Sequence, residues 1–134
     1  MNAAAETAPV LVIEDDEQNR YLVVYLLERH GYRVRAASTA AEGIRLAEEE
    51  LPSMILLDIQ LPEVDGYAAV RALRAIDAFR DLPVVAITAH ALPADRARAL
   101  EAGCTAWLRK PIEPDSFLDT LRELGLGPPP EDGR

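Results

Sequence analysis

Three short runs in this chain are apolar without alternation: Val10-Leu11-Val12-Ile13, Met54-Ile55-Leu56-Leu57 and Val84-Val85-Ala86-Ile87. Continuous apolar runs of this length read as parallel strands buried on both faces. Each follows a proline, Pro9, Pro52 or Pro83, and proline is tolerated at a strand start where no amide donor is needed. Tyr32-Arg33-Val34-Arg35-Ala36 alternates instead, as a half-covered edge strand does, and Thr105-Ala106-Trp107-Leu108 gives a fifth strand. Helical spacing fills the gaps. A first helix runs from about Glu17 to His30, with Leu22, Leu26 and Arg29 on one stripe beside Tyr21 and Tyr25, and stops at Gly31. Thr39-Ala40-Ala41-Glu42 is a capping box opening a second helix through Leu46 and Ala47. A third covers about Asp65 to Ile76 with Val70, Leu73 and Ile76 inward. A fourth runs from Pro93 to Gly103, and a fifth from Pro114 buries Phe117, Leu121 and Leu124. Strict alternation of strand and helix predicts an α/β fold, a parallel sheet with right-handed crossovers and helices on both faces.

Composition narrows the picture. The chain has 134 residues, room for one domain, with a flexible start over residues 1–8, a folded part over 9–125 and a disordered Pro-rich tail over 126–134. A net charge of -9 argues against direct nucleic-acid binding, which needs clustered basic residues. The apolar runs are too short for membrane insertion, and the amino terminus lacks the features of a secretory signal, so a soluble, cytoplasmic protein is expected. The single cysteine, Cys104, forms no internal disulfide and reads as a small core residue. His30, beside Gly31, suits a helix carboxyl terminus.

In open α/β sheets, ligands bind beyond the carboxyl ends of the strands. There the sequence places Glu14-Asp15-Asp16, Asp58, Thr88 and Arg109-Lys110-Pro111 after strands one, three, four and five. If strands one and three are neighbours, Glu14, Asp15 and Asp58 converge, and two carboxylates about 4 Å apart repel by about 4 kcal/mol at an effective dielectric near 20. A divalent cation offsets that repulsion. Mg²⁺ fits, taking carboxylates, waters and a carbonyl such as that of Gln60. Asp16 reads instead as the cap of the first helix. Lys110 is the sole lysine among fourteen basic residues. In a chain that otherwise uses arginine, it suggests a role for a compact ammonium at the acidic pocket, contacting a phosphoryl oxygen and a carboxylate together. The bond to Pro111 is a candidate cis peptide.

These residues resemble the receiver domain of two-component response regulators, the CheY-like fold, over about residues 9 to 125. Val10 to Asp16, Leu56 to Gly66, Ile87-Thr88-Ala89 and Arg109-Lys110-Pro111 carry the resemblance, four motifs in order and register. Asp58-Ile59-Gln60-Leu61-Pro62-Glu63 and Ala102-Gly103-Cys104 look most like the single-domain DivK type. The resemblance implies a doubly wound five-stranded sheet in the order 2-1-3-4-5. It implies Asp58 as phosphoacceptor, Asp15 as direct Mg²⁺ ligand, Glu14 as ligand through water and Gln60 as ligand through its backbone carbonyl. Thr88 would hydrogen-bond the phosphoryl group and Lys110 pair with it. Trp107 stands at the aromatic switch position, where Tyr or Phe is more usual. Gln60 and His90 lie two residues after the nucleophile and the switch threonine, where side chains influence hydrolysis; an exposed loop histidine is the alternative for His90. The implied protein is a stand-alone receiver that assists only its own phosphorylation and dephosphorylation. It takes phosphate from a histidine kinase or histidine phosphotransfer protein and switches a face made by helix four, strand five and helix five toward a protein target. It would be a monomer or a weak phosphorylation-dependent dimer. A haloacid-dehalogenase-type hydrolase needs a second acid where Gln60 stands, a P-loop enzyme needs a GxxxxGK that is missing, and neither histidine carries a histidine-kinase acceptor motif.

Overall fold

The computed structural model describes residues 8–61, 65–89 and 92–123. Among them five strands form one parallel sheet: β1 (Val10–Ile13), β2 (Val34–Ala37), β3 (Met54–Asp58), β4 (Val84–Thr88) and β5 (Ala106–Arg109). Five α-helices alternate with them: α1 (Glu17–Arg29), α2 (Ala40–Glu49), α3 (Gly66–Arg74), α4 (Pro93–Ala102) and α5 (Pro114–Glu123). The strand order is β2-β1-β3-β4-β5. The chain therefore winds outward in both directions from β1 and β3, leaving a crevice at their carboxyl ends.

Side-chain alternation divides the sheet into two faces. Leu11, Ile13, Ile55, Leu57, Val84 and Ala86 point to α2, α3 and α4, where Leu46, Val70, Leu73, Ala99 and Cys104 complete one core. Val10, Val12, Leu56, Val85 and Ile87 point the other way, to Val23, Leu26 and Leu27 of α1 and Phe117, Leu118 and Leu121 of α5. β1, β3 and β4 are buried at every position, the reason their sequences show no alternation. Removing a side chain such as Leu56 costs about 2–5 kcal/mol through lost burial and the cavity left behind.

The helix ends follow the sequence signals with local differences. Asp16 caps α1, its Oδ1 accepting from Asn19 N at 3.0 Å. At the other end Gly31 takes φ 93°, and the Gly31 and Tyr32 amides donate to Glu28 O and Leu27 O, a Schellman closure. His30 Nδ1 lies 2.9 Å from Leu26 O, at that terminus. Thr39 Oγ1 accepts from Glu42 N, but Glu42 Oε1 accepts from Ser38 N rather than from the capping residue. Cys104 is buried, and burial pushes its thiol up to about 11.

Three expectations need correction. On α1 the expected Leu26 is buried and Leu22 packs partly buried against the core, but Val23 and Leu27 complete the buried stripe, whereas Tyr21 is 72% exposed, Tyr25 46% exposed and Arg29 lies outside the core. The two tyrosine rings stack with centroids 6.3 Å apart, amphipathic side chains that tolerate water on one edge. β2 begins at Val34, because Tyr32 is committed to the α1 closure. Asp65 caps α3 instead of entering it, its Oδ1 accepting from Tyr67 N, and the helix stops at Arg74 with Ile76 only partly buried. Leu124, His90, the segment Pro62-Glu63-Val64 and both termini expected to be disordered lie outside the described residues.

Candidate functional site

The parallel register sets Ile13 beside Leu57, so the residues after β1 and the last residue of β3 emerge side by side. Asp58 pairs with Ile87, and Thr88 with Arg109, which brings the ends of β4 and β5 to the same edge. Glu14, Asp15 and Asp58 each offer a carboxylate oxygen, and these lie within 4.8 Å of one another. Glu14 and Asp58 are 2% exposed and Thr88 3%, while Asp15 faces solvent. Lys110 reaches across from the end of β5. Its Nζ lies 3.0 Å from Asp58 Oδ2 and 3.2 Å from Glu14 Oε1.

Backbone contacts hold this arrangement. Lys110 N donates to Thr88 O at 2.8 Å, and the Lys110–Pro111 peptide is cis. Gln60 N donates to Asp58 Oδ1 at 2.8 Å, fixing the carboxylate between a backbone amide and the lysine. Arg20, which sequence reading did not single out, donates from Nη1 to the Glu14 carbonyl at 2.9 Å and ties the acidic loop to α1. Gly66 closes the loop after β3: its amide donates to Ile59 O, and a Cβ there would run into the Ile59 backbone.

The electrostatics are unbalanced. Burial, reinforced by a hydrogen bond with Asp58 and by its charge, pushes the Glu14 carboxyl up to about 7, against the opposing pull of Lys110 and the Asp16 amide. For Lys110, burial works against the ammonium, but the hydrogen bond to Asp58 and the charges of Asp58 and Glu14 outweigh it, and its pKa is raised. One ammonium thus pairs with two buried acids, and a third carboxylate, that of Asp15, lies beside them. Oxygen ligands of this kind, two of them poorly solvated, suit a hard divalent cation. The donor chemistry fits Mg²⁺.

The response regulator receiver domain model matches residues 10–122. The chain belongs to that family. It is similar to the polar-differentiation response regulator DivK of Brucella anthropi, 39% identical over 113 residues, 84% of this chain and 92% of the relative. DivK of Brucella ovis is 38% identical over 116 residues, 87% of this chain and 94% of its own. The chemotaxis response regulator CheY4 of Vibrio cholerae superposes with a TM-score of 0.83 at 28% identity, covering 88% of this chain and 98% of that one. The receiver domain of the sensor histidine kinase PA1611 of Pseudomonas aeruginosa has a TM-score of 0.78 at 34% identity, over 89% and 98%; that structure has a magnesium ion coordinated in its active-site cleft. This receiver is accordingly a CheY-like response regulator of two-component signalling.

Of the remaining expected positions, Trp107 lies on β5. Trp107 is the register partner of Ala86, two residues before Thr88, so alternation puts the Trp107 and Thr88 side chains on the same face of the sheet. The indole is half-buried against the α2–α4 side of the core, with the Arg96 guanidinium 5.9 Å from its ring centroid. Pro93, Arg96, Ala97 and Leu100 of α4 line a cavity of about 320 Å³ with it. Among the described residues no helix is long and apolar enough to cross a membrane.

Proposed function

We propose that Asp58 of this receiver accepts a phosphoryl group from the phosphohistidine of a histidine kinase or histidine phosphotransfer protein. The observation that carries the reading is the position of a buried Asp58 between an ammonium at 3.0 Å and a backbone amide at 2.8 Å, at the centre of the three-acid cluster. An Asp58 carboxylate oxygen attacks phosphorus; the P–N bond breaks, its electron pair stays on the imidazole nitrogen, and an acyl phosphate remains. Phosphoryl transfer asks little covalent chemistry of a protein beyond positioning and charge stabilisation. Glu14, Asp15 and Asp58, with the Gln60 backbone carbonyl, would hold Mg²⁺, which supplies positive charge for the phosphoryl oxygens. Lys110 pairs with one such oxygen and the Thr88 hydroxyl donates to another.

Added phosphoryl charge draws Thr88 inward and vacates space for Trp107, which shifts the face made by α4, β5 and α5 toward a protein target. His90 and Gln60 modulate hydrolysis of the acyl phosphate. The domain assists only its own modification, works in the cytoplasm as a monomer or weak phosphorylation-dependent dimer, and comprises residues 9–125. Intact-mass spectrometry after incubation with phosphoramidate and Mg²⁺ tests the proposal. One phosphoryl addition is expected in the wild type and none in Asp58→Asn; undiminished addition in that variant, or in metal-stripped wild type, rejects it.

A further inference from the structure

We propose that the Gln60 side chain is a resident competitor for the phosphoryl group, holding a backbone N–H that the modified state of Asp58 requires. The last backbone rung between β3 and β4 is Ile59 N to Ile87 O at 3.0 Å. One step further out, a side chain replaces the ladder: Gln60 Oε1 accepts from Ala89 N at 3.2 Å. The same residue's own amide donates to Asp58 Oδ1. Gln60 therefore faces the acceptor carboxylate through its backbone and occupies the neighbouring strand end through its carboxamide.

Ala89 directly follows Thr88, at the mouth of the site and exposed. A phosphoryl group brings three charged oxygens, and charged acceptors bind amide donors more strongly than a neutral carboxamide does. In the resting protein the Gln60 carboxamide satisfies the Ala89 N–H, so the donor is already taken. Forming the modified state then breaks one hydrogen bond before making its replacement. The residue acts on the equilibrium between the two states, and its length matters: the carboxamide must span from one strand end to the next.

This inference rests on the reading of Asp58 as phosphoacceptor. Gln60→Met keeps length and bulk but lacks a good acceptor, and Gln60→Glu keeps an acceptor while adding a charge that repels a phosphoryl group. With beryllium fluoride and Mg²⁺ as the probe, calorimetry should find Gln60→Met binding about 2- to 10-fold tighter than wild type, the worth of one net hydrogen bond, and Gln60→Glu binding more weakly. In the resting state the ¹⁵N–¹H signal of Ala89 should move in Gln60→Met and stay close to its wild-type position in Gln60→Glu, a difference that loss of local packing does not produce. Equal probe affinity for wild type and Gln60→Met, or an unmoved Ala89 amide, overturns the competition. No binding in any of the three proteins overturns the phosphoacceptor reading instead.

Discussion

Two cations gather loops at opposite ends of the sheet, and they do so with different partners. At the amino ends of β4 and β5, Arg74 donates from Nε to Gly103 O at 2.9 Å, from Nη1 to Phe79 O at 2.8 Å and to Leu82 O, and from Nη2 to Thr105 Oγ1 at 3.3 Å. Every one of these acceptors is neutral, and a planar fork with five donors satisfies them together. At the carboxyl ends, Lys110 meets two buried carboxylates with a third acid beside them. The first end has its donors satisfied by carbonyl and hydroxyl oxygens and serves as a staple. The second keeps an excess of negative charge that an added cation neutralises, at some cost to the stability of the resting protein, which is the arrangement expected of a reaction centre.

Substitution at the two cations separates these roles. Arg74→Ala should destabilise the fold by about 2–4 kcal/mol, since it strands several loop carbonyls at once, and Arg74→Lys should recover less than half because a point charge cannot span the fork. Chemical denaturation measures both, and acceptance of phosphate by the folded fraction should be unchanged; an Arg74→Ala protein as stable as wild type would dissolve the contrast. Lys110→Arg reverses the pattern. Charge is kept, so stability should stay within about 1 kcal/mol of wild type, while phosphorylation slows by about 10-fold or more because the bulkier guanidinium displaces the phosphoryl position. Normal acceptance kinetics would show that the sole lysine is there by chance.

A smaller effect distinguishes the ends by pH. Glu14 is shifted from 4.5 up to about 7 by burial and by Asp58, so the native state holds a proton that the unfolded chain releases. Stability in metal-free solution should therefore fall as pH rises from about 4.5 through 7, because the native state binds more protons across that window. Millimolar Mg²⁺ should flatten the slope, and Arg74→Ala should leave it unaltered. Thermal melts across this range, with and without metal, are sufficient; a rising or flat metal-free profile would mean that the acids are not under strain. The smallest expected signal is the fluorescence of Trp107, which should change on adding beryllium fluoride with Mg²⁺ and change less in Thr88→Ala. A silent indole would remove Trp107 from the coupling while leaving the pocket intact.

The sequence exposes one of these ends far better than the other. β1, β3 and β4 stand out because burial on both faces forces an unbroken apolar run, and the acids stand out because they follow those runs at once. Lys110 is conspicuous as the single lysine. Arg74 and Arg20 are not, since an arginine that gathers carbonyls looks like any other in a chain using arginine for thirteen of its fourteen basic residues. The inward face of α1 is legible only in part: Leu26 stands on it as expected, but tyrosine is both apolar and polar, so Tyr21 and Tyr25 mimic buried positions that Val23 and Leu27 hold instead. The Gln60 to Ala89 contact depends on strand register and side-chain reach, neither of which local patterning encodes.

The central claim is that the acidic end acts through a phosphoryl group on Asp58 itself. Borohydride reduction of the freshly phosphorylated protein converts an aspartyl phosphate to homoserine, and peptide mass spectrometry then reports the position. Homoserine at residue 58 in samples treated with phosphodonor and Mg²⁺, and its absence when either is withheld, is the predicted result. A reduced Asp15 or Glu14 in its place, or phosphate retained on His30 or His90 with residue 58 still aspartate, would contradict it.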